Sequence, residues 1–423
     1  MFFVGLDVHK KVVEAAIIDQ DGKLVQRDRF PCTRSELLNF AKRFLSPEAE
    51  LALEATTNTW AVVDILQPFV SQVVVSNPLR TKAIAEAKIK TDKVDALVLA
   101  QLLRVDYLPK VWIPDSQTRI IRQMTSHRAS LVGDRTRIKN RIHAVLHQRL
   151  IPLPVSSLFS VSGMAWLRKL DLDPHGRDQV DSELALLDAV QEQIQKLDKQ
   201  LALLAYRDEE VKLLMTLFGV DTAVAQSLRS TLGDIDRFES GDHAASCLGL
   251  TPSVKQSAGS CYYGPITKRG KAHARWMVIQ AAQHFDRQPG PLGVFFRKIA
   301  KKKNRNVAVV ATARKLVVIA WHMLKNHEPY RYSQPRSTGD KLARLRIAAT
   351  GKRRKGGHPK GSGRPASYGT GQNTRGVKSL SQVYASENLP PNAQIPPGER
   401  RMLAEKGLTD YVQKIDTPHR IPR

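Results

Sequence analysis

Hydrophobic and polar residues alternate with a strand-like period over the first thirty residues. Three short segments carry this pattern, and each contains β-branched or aromatic residues: "FFVGLDV", "KVVEAAIID" and "KLVQRDRF". The segment "DQDG" between the second and the third is typical of a turn. The pattern therefore predicts three strands joined as an antiparallel meander.

Helical and strand-like segments then follow one another. "SELLNFAKRFL" has a serine at its start and helical spacing, and "NTWAVVDILQPF" is also helical, whereas "ELALEAT" and "QVVVSN" are strand-like. Three strands followed by β-α-β units predict a mixed sheet covered by helices. We expect this α/β domain over residues 1–110.

Residues 111–208 have a helical period. The segment "HRASLVGDRTRIKNRIHAVLHQRL" predicts a helix with an apolar stripe that packs on one side and presents cations on the other. The cations that flank the stripe are Arg128, Arg135, Lys139 and Arg141.

A second helix in this region carries a heptad-like seam. Spacings of three and four separate its apolar positions, which are Leu187, Val190, Ile194, Leu197, Leu201 and Leu204. The seam fits a coiled coil of about three heptads, which would make it a candidate interface between subunits. It fits equally well one long amphipathic helix in a bundle.

Residues 209–333 are predicted to form a further, mainly helical unit. Within it, "LFGVDTAVAQSLRSTLGDIDRF" weakly resembles a helix-hairpin-helix element, whose backbone amides can bind phosphate, but Asp221 stands where a second glycine is expected. Residues 334–423 include "GKRRKGGHPKGSGRPASYGTGQNTRG", which is poor in large apolar residues. We expect a disordered basic tail there, in electrostatic contact with nucleic acid.

The charge balance narrows the range of partners. The 423 residues include 66 Lys and Arg against 40 Asp and Glu, a formal net charge of +26. A field of this sign attracts polyanions, usually nucleic acid, although a merely basic soluble surface is the less specific interpretation. The three cysteines form no CxxC motif, so neither a zinc site nor a disulfide framework is predicted, and a reducing cytosol fits best.

The sequence predicts no membrane partner. Asp7 interrupts the opening before any long apolar stretch, which argues against a signal peptide. The segment "VAVVATARKLVVIAWHML" is broken by Arg314 and Lys315, so we interpret it as a buried helix. Trp60 and Trp276 are likewise expected in hydrophobic cores.

Four carboxylates are candidates for chemistry in this basic chain. Asp7 ends the first predicted strand, and Glu54 lies in the strand "LALEAT". Asp92 and Asp95 lie three residues apart at the start of a predicted helix, and are therefore neighbours on its surface. Carboxylates brought together repel one another, and a divalent ion removes that cost. Oxygen ligands select Mg²⁺ or Mn²⁺, and two such ions roughly 3.5 to 4 Å apart recur in displacement at phosphodiesters.

A cationic segment, "GPITKRGKAHARW", lies further along the chain. Its cations are Lys268, Arg269, Lys271 and Arg275. They form either a solvated basic face or a set of groups that position phosphates and neutralise charge in a transition state.

Six blocks in a fixed order resemble a known family. The blocks are "GLDVHK", "LEATTNTW", "KTDKVDALVLAQLL", "RTRIKNRIHAVLH", "LGLTPSVKQSAGS" and "ITKRGKAHAR", and they extend from residue 1 to about 333. Together they resemble the DEDD transposases of the insertion-sequence one-ten family (IS110), which are relatives of the Piv DNA invertases. The resemblance implies a RuvC-like, RNase H-type fold for the first domain. It also implies a metal-binding tetrad for Mg²⁺ or Mn²⁺, namely Asp7, Glu54, Asp92 and Asp95.

For residues 209–333 the resemblance implies a transposase domain whose catalytic serine lies in the block "KQSAG". Ser257 occupies that position, and Ser260 and Ser253 are the alternatives. A glycine nearby removes steric cover, so a hydroxyl in such a loop can approach a DNA backbone. Because a serine hydroxyl needs a base or a metal for activation, the ion of the tetrad could act on it if the two domains meet over the scissile phosphate.

The activity implied is site-specific recombination of donor and target DNA through a transient link to the serine. Members of the family are understood to be guided by a structured bridge RNA, and residues 126–149 are the candidate helix for contacting it. Because several strands must be cut, we expect a homodimer or homotetramer. The expected location is the cytoplasm of a prokaryote, in association with the nucleoid.

Two other functions remain open at this point. A RuvC-like junction nuclease would use the same tetrad with water as the nucleophile, leaving Ser257 dispensable. A non-catalytic nucleic-acid-binding protein would use the carboxylates only structurally, so Asp7→Ala would leave its function unchanged.

Overall fold

A computed structural model describes most of the chain, namely residues 1–84, 92–257, 259–352 and 374–422, without the side chains of 92, 93, 374, 375 and 420–422. The chain divides into two compact units, Met1–Asp115 and Ser116–Arg423.

The first unit is built on one sheet. Its strands are β1 (Phe3–Val8), β2 (Val12–Ile18), β3 (Leu24–Pro31), β4 (Glu50–Glu54) and β5 (Gln72–Ser76). Its helices are α1 (Arg34–Phe44), α2 (Thr59–Leu66), α3 (Pro78–Ile84) and α4 (Asp92–Arg104), with a 3-10 turn at Gln67–Phe69. The strand order is β3-β2-β1-β4-β5. β1, β2 and β3 are antiparallel, and β4 runs parallel to both β1 and β5. The predicted meander and the mixed α/β sheet are confirmed.

The two faces of the sheet are buried by different helices. Leu6 of β1 lies in a core with Phe40 of α1. Phe3, which points to the opposite face, lies in a core with Leu99 and Leu103 of α4. The alternation along β1 therefore assigns its odd-numbered positions to the side that α4 covers.

Helix α4 lies directly against the middle of β1. A Cβ atom at Gly5 would come within 2.0 Å of the Ala96 carbonyl oxygen and 2.6 Å of the Ala100 nitrogen. Near its other end, Gln101 Nε2 donates a hydrogen bond to the carbonyl of Gly22 at 2.6 Å. Gly22 lies in the turn between β2 and β3, at the end of the sheet where β1 begins. The first turn of α4 therefore lies toward the end of the sheet where β1 finishes.

The second unit is mainly helical. Its first helices are α5 (Ser116–Gln148), α6 (Val161–Lys169), α7 (Pro174–Arg207), α8 (Glu209–Leu214), α9 (Thr222–Leu232) and α10 (Gly241–Cys247). The later helices are α11 (Ala272–Ala282), α12 (Pro291–Lys302), α13 (Arg305–Asn326), α14 (Pro335–Thr350), α15 (Leu380–Ser386), α16 (Pro397–Glu405) and α17 (Thr409–Asp416). Short 3-10 turns occur at Ile235–Arg237 and Phe285–Arg287. Its strands are β6 (Pro252–Ser257), β7 (Ser260–Ile266), β8 (Thr374–Val377) and β9 (His419–Pro422), and they pair as two antiparallel ribbons, β6–β7 and β8–β9.

Helices α5 and α7 pack as an antiparallel pair. Arg141 pairs with Glu183, and Arg128, nearer the start of α5, pairs with Asp198, nearer the end of α7. Leu187, from the predicted seam, is buried in a core that α5 shares. Ile194 and Leu201 are buried as well, so half of the six seam residues are covered within the chain. This favours one long amphipathic helix over a coiled coil between subunits.

Helix α13 lies in the core of the second unit. It is long and apolar enough, by length and composition alone, to cross a membrane, but more than half of its apolar window is buried inside the unit. Leu316, Val317 and Ala320 are fully covered, and α10, α11 and α12 pack around it. The prediction of a buried helix is confirmed.

The hairpin between α8 and α9 is held from inside the fold. Gly219 turns the chain with φ of +72°. Asp221, which weakened the helix-hairpin-helix resemblance, accepts a backbone hydrogen bond in the first turn of α9 and so caps that helix. Lys341 of α14 donates to the carbonyls of Leu217 and Val220 at 2.5 and 3.1 Å. Both ends of this hairpin therefore have partners within the unit.

The end of the chain differs from the disordered tail that we expected. Leu342 and Leu345 of α14 are buried, and so is Tyr384 of α15, whose hydroxyl donates to the Tyr330 carbonyl at 2.6 Å. A few large residues at helical spacing suffice here because they dock on a core that already exists. Most of the Gly-, Lys- and Arg-rich stretch falls on 353–373, outside the described residues, where the prediction stays a prediction.

Candidate active site

Asp7 and Glu54 lie side by side on neighbouring strands. In the parallel pairing of β1 with β4, Leu6 lies opposite Leu53, so the next residue on each strand is one of these two acids. Adjacent strands lie about 4.8 Å apart. Asp7 lies an even number of residues after Phe3, and Glu54 lies two residues after Ala52; Phe3 and Ala52 both face α4. Both acids therefore lie on the face of the sheet that α4 covers. Two of the predicted carboxylates therefore occupy one end of one face of the sheet.

Two further ionisable groups, which are not among the predicted site residues, adjoin Asp7. His9 Nε2 lies 3.1 Å from Asp7 Oδ2. Glu14 pairs with Asp7 across β1 and β2; its side chain is only 7% exposed, and the Nε of Arg29 lies 3.1 Å from its Oε1. In the sequence, Glu14 is recognisable as an acid among the apolar residues of a strand, where a charged side chain is rarely buried without a partner. A row of polar side chains therefore crosses the sheet, from Glu54 on β4 through Asp7 on β1 and Glu14 on β2 to Arg29 on β3.

Asp95 lies in the first turn of α4. The next residue, Ala96, places its carbonyl against Gly5, two residues before Asp7 on β1. Asp95 also precedes the buried Leu99 by one helical turn, so it belongs to the side of α4 that faces the sheet. The structure therefore brings Asp95 to the end of the sheet where β1 finishes.

Asp92 begins α4, but its side chain lies outside the described residues. Among the side chains that are described, no group of three or more His, Cys, Asp or Glu has the spacing of a metal site. Asp7, Glu54 and Asp95 are therefore placed in one neighbourhood without forming a coordination sphere by themselves. Their donor chemistry fits a hard divalent ion, because carboxylate oxygens are the ligands that Mg²⁺ and Mn²⁺ prefer.

Ser257 lies at the tip of an exposed ribbon, β6–β7, in the second unit. It pairs with Ser260 across the turn. Gly259 has φ of +90°, with open space where a Cβ atom would be. Of the alternative serines, Ser260 donates its hydroxyl to the Ser257 carbonyl at 3.1 Å, and Ser253 donates to the Pro265 carbonyl at 3.2 Å. The hydroxyls of both alternatives therefore have backbone partners on the ribbon.

The cations that follow the ribbon differ in role. Arg275 donates to the carbonyls of Leu248 and Lys268 at 3.0 and 2.9 Å, so its guanidinium holds the loop together. Lys268, Arg269 and Lys271 are exposed. Partial desolvation and the neighbouring Arg122 guanidinium lower the pKa of Lys271. Three of the four predicted cations are therefore accessible to a phosphate.

Trp276 does not lie in a core, contrary to our expectation. The residue is 49% exposed, and its ring stacks on His273, with ring centroids 6.2 Å apart. Burial and the nearby Arg128 lower the pKa of His273, which favours the neutral imidazole. Trp60, by contrast, packs against the core of the first unit. Trp276 therefore adds an aromatic surface beside the exposed cations.

The four cations predicted on α5 are engaged within the second unit. Their contacts are Arg128 with Asp198, Arg135 with Gln191, Arg141 with Glu183, and Lys139 with the ring of Phe159. Arg141 is held at two points, with distances of 2.5 and 2.7 Å. Burial, together with Arg135, lowers the pKa of Lys139. These cations therefore join α5 to its neighbours, and nucleic acid would have to share them.

Two family models match the chain. A DEDD transposase model of IS110, described as "Transposase", matches residues 4–151, and a model described as "Transposase IS116/IS110/IS902 family" matches residues 211–290. Together they cover more than half of the chain, and they include every acid of the predicted tetrad as well as Ser257.

Individual proteins show the same relationship. The transposase for insertion sequence element IS1328 of Yersinia enterocolitica is 23% identical over 329 residues, covering 75% of this chain and 95% of that protein. The pilin gene-inverting protein of Moraxella lacunata is 25% identical over 346 residues, covering 78% and 97%. The transposase for insertion sequence element IS1111A of Coxiella burnetii is 21% identical over 335 residues, covering 78% and 91%.

Proposed function

Because the chain belongs to the IS110 family of insertion-sequence transposases, which are enzymes that cleave DNA, we propose that it recombines donor and target DNA through a covalent link to Ser257. The supporting observation is the convergence of Asp7, Glu54 and the first turn of α4 at one end of the sheet. The strand order β3-β2-β1-β4-β5, with three antiparallel strands followed by two parallel ones, supports an RNase H-type, RuvC-like domain.

In this proposal the acids of the first unit hold a divalent ion. The match to a DEDD transposase model supports dependence on a divalent metal. Asp7, Glu54, Asp92 and Asp95 are the residues that would hold the ion, Mg²⁺ or Mn²⁺. When bound, such an ion promotes ionisation of an attacking oxygen and stabilises the charge on a leaving one. His9 orients the Asp7 carboxylate through its hydrogen bond, as outer ligands commonly do.

Ser257 supplies the nucleophile. Its Oγ forms a bond with the phosphorus and releases its proton to water, while the bond from phosphorus to the sugar oxygen breaks and that oxygen takes up a proton from water, so the sugar leaves as a hydroxyl. The reverse reaction, with a sugar hydroxyl from another strand, rejoins DNA and restores the serine. One phosphodiester replaces another, so no nucleotide cofactor is required. Lys268, Arg269 and Lys271 neutralise the phosphate during transfer.

A structured bridge RNA is the proposed guide. The net charge of +26 supports contact with a polyanion besides the DNA. Contact through α5 would share Arg128, Arg135, Lys139 and Arg141 with α7 and Phe159. We further propose a dimer or tetramer, because several strands must be cut, and action in a prokaryotic cytoplasm at the nucleoid.

A reconstituted recombination assay tests this function. The purified chain is combined with RNA transcribed from the DNA that flanks its gene and with donor and target plasmids in Mg²⁺. Asp7→Ala and Ser257→Ala should each abolish recombinant product, whereas Ser253→Ala, a serine on the same ribbon, should retain it. Recombination by Ser257→Ala would overturn the covalent link to this serine, and recombination by both Asp7→Ala and Ser257→Ala would overturn the whole proposal. Cutting that requires Asp7 but not Ser257 would instead identify a junction nuclease that uses water.

A further inference from the structure

The β6–β7 ribbon exposes an unusual amount of aromatic surface. Tyr262 and Tyr263 are each 67% exposed, and Val254 is 52% exposed. Neighbouring apolar groups at the surface of a soluble protein commonly mark a site of interaction. The reactivity of Ser257 alone does not explain these exposed side chains, which indicate that the ribbon binds a partner.

The register separates the two tyrosines. Ser257 lies opposite Ser260, and Lys255 lies opposite Tyr262, so these positions are two residues apart along each strand. Side chains two residues apart share a face of a ribbon, so Lys255 and Tyr262 lie on the face of Ser257. Tyr263 is one residue further and lies on the opposite face. One tyrosine therefore accompanies the serine and its equally exposed neighbour does not.

The charge around the ribbon indicates the chemistry of its partner. From residue 243 to 285 the sequence contains no Asp or Glu, and it contains five cations: Lys255, Lys268, Arg269, Lys271 and Arg275. A segment that has exposed lysines and no acidic residues attracts a polyanion and repels a positively charged surface. Exposed tyrosines beside such cations suit a nucleic-acid strand, because every base has a face on which an aromatic ring can stack.

We propose that Lys255 and Tyr262 hold the DNA strand next to the phosphate that Ser257 attacks. The ring of Tyr262 stacks on a nucleobase, and the Lys255 ammonium pairs with a flanking phosphate. The location of this grip rests on the proposed role of Ser257. The grip itself is a binding function, and it can be measured without any reaction at the serine.

The matched pair of tyrosines gives the test. Full-length protein carrying Ser257→Ala, which lacks the serine hydroxyl, is titrated into a fluorescent donor oligonucleotide, and binding is followed by anisotropy. Adding Tyr262→Ala should weaken binding about 5- to 150-fold, the range for loss of one stacked base. Adding Tyr263→Ala should change it less than twofold. Tyr262→Phe should recover most of the binding, because the ring and not the hydroxyl makes the contact.

Lys255 has a separate signature. Lys255→Gln should lower the slope of log binding constant against log salt concentration by about 1, as expected for loss of one phosphate contact. Tyr262→Ala should leave that slope unchanged. Unaltered melting temperatures for all variants would show that the exposed ribbon positions do not affect folding.

The outcomes distinguish this inference from the proposed function. Equal weakening by Tyr262→Ala and Tyr263→Ala, or no weakening by either, would overturn the grip. Recombination by Ser257→Ala in the plasmid assay would overturn the role of the serine, while a selective effect of Tyr262 on binding would still support the grip.

Discussion

Replacing Gly5 with alanine should displace α4 and the acid that it carries. The added Cβ atom would lie 2.0 Å from the Ala96 carbonyl oxygen and 2.6 Å from the Ala100 nitrogen. Both are backbone atoms, so no side-chain rotation relieves the overlap. An ordinary contact distance of about 3.5 Å requires strand and helix to separate by about 1.5 Å.

This separation should affect chemistry more than stability. Overpacking a well-packed core costs about 1–3 kcal/mol of the free energy of unfolding. Asp95 adjoins Ala96, so its carboxylate moves with the helix, and a misplacement of about 1 Å can cost about 100-fold in rate. We therefore predict that Gly5→Ala lowers the recombination rate about 100-fold while the protein stays folded.

The assay compares this variant with Leu103→Ala, which alters the far end of the same helix. Leu103 is buried, and its truncation should cost about 2–5 kcal/mol by leaving a cavity, but the contact between Gly5 and Ala96 is unchanged. Urea unfolding gives the stability of each full-length variant, and recombination is measured at a temperature where both remain folded. Recombination by Gly5→Ala at the wild-type rate, or an equal loss of activity in Leu103→Ala, would show that the contact between Gly5 and Ala96 does not position Asp95.

Three further predictions concern titration and metal binding. Burial lowers the pKa of Lys341 to about 7, whereas a lysine in the unfolded chain titrates near 10.4. Between these two pH values Lys341 is protonated in the unfolded chain and neutral in the folded one. The free energy of unfolding should therefore rise by about 4 kcal/mol from pH 7 to pH 10.4. Urea unfolding at pH 7 and pH 10 should show this rise in the wild type and its loss in Lys341→Met. Arg149 and a backbone N–H hold the pKa of Asp173 at about 2, so the stability this carboxylate contributes is present above about pH 4 and is lost as the pH falls toward 2. An NMR titration of Arg149→Ala should show the pKa of Asp173 moving back toward its ordinary value, and an unchanged pKa would contradict the assignment. Asp7→Asn should weaken Mn²⁺ binding, measured by electron paramagnetic resonance, whereas Asp19→Asn, at the opposite end of the sheet, should not.

Local pattern was sufficient to predict much of the first unit. Alternation and turn residues identified the meander and the later β-α-β units, and parallel strands leave Asp7 and Glu54 at one edge. The approach of α4 to Gly5 was not predictable in this way, because it depends on the absence of one Cβ atom at a contact between distant segments. Glu14 was missed for a similar reason, since its partner Arg29 is recognisable only once the strands are paired.

The second unit shows where composition misleads. An amphipathic pattern marks the polar flank of α5, but it does not show whether that flank meets solvent or the acids of α7. The cations there turned out to contact Asp198, Gln191 and Glu183. The tail was predicted from its average composition, which hid the helical spacing of Leu342 and Leu345. In both cases the missing information was the position of a distant partner.

Trapping the covalent intermediate shows directly whether Ser257 becomes linked to DNA. A donor oligonucleotide with a break beside the cleavage site, which prevents rejoining, is incubated with the protein, guide RNA and Mg²⁺, and the products are resolved on a denaturing gel. We predict a protein–DNA adduct that peptide mapping assigns to Ser257 and that is absent with Ser257→Ala and Asp7→Ala. Cleaved DNA free of protein, formed equally well by Ser257→Ala, would contradict it.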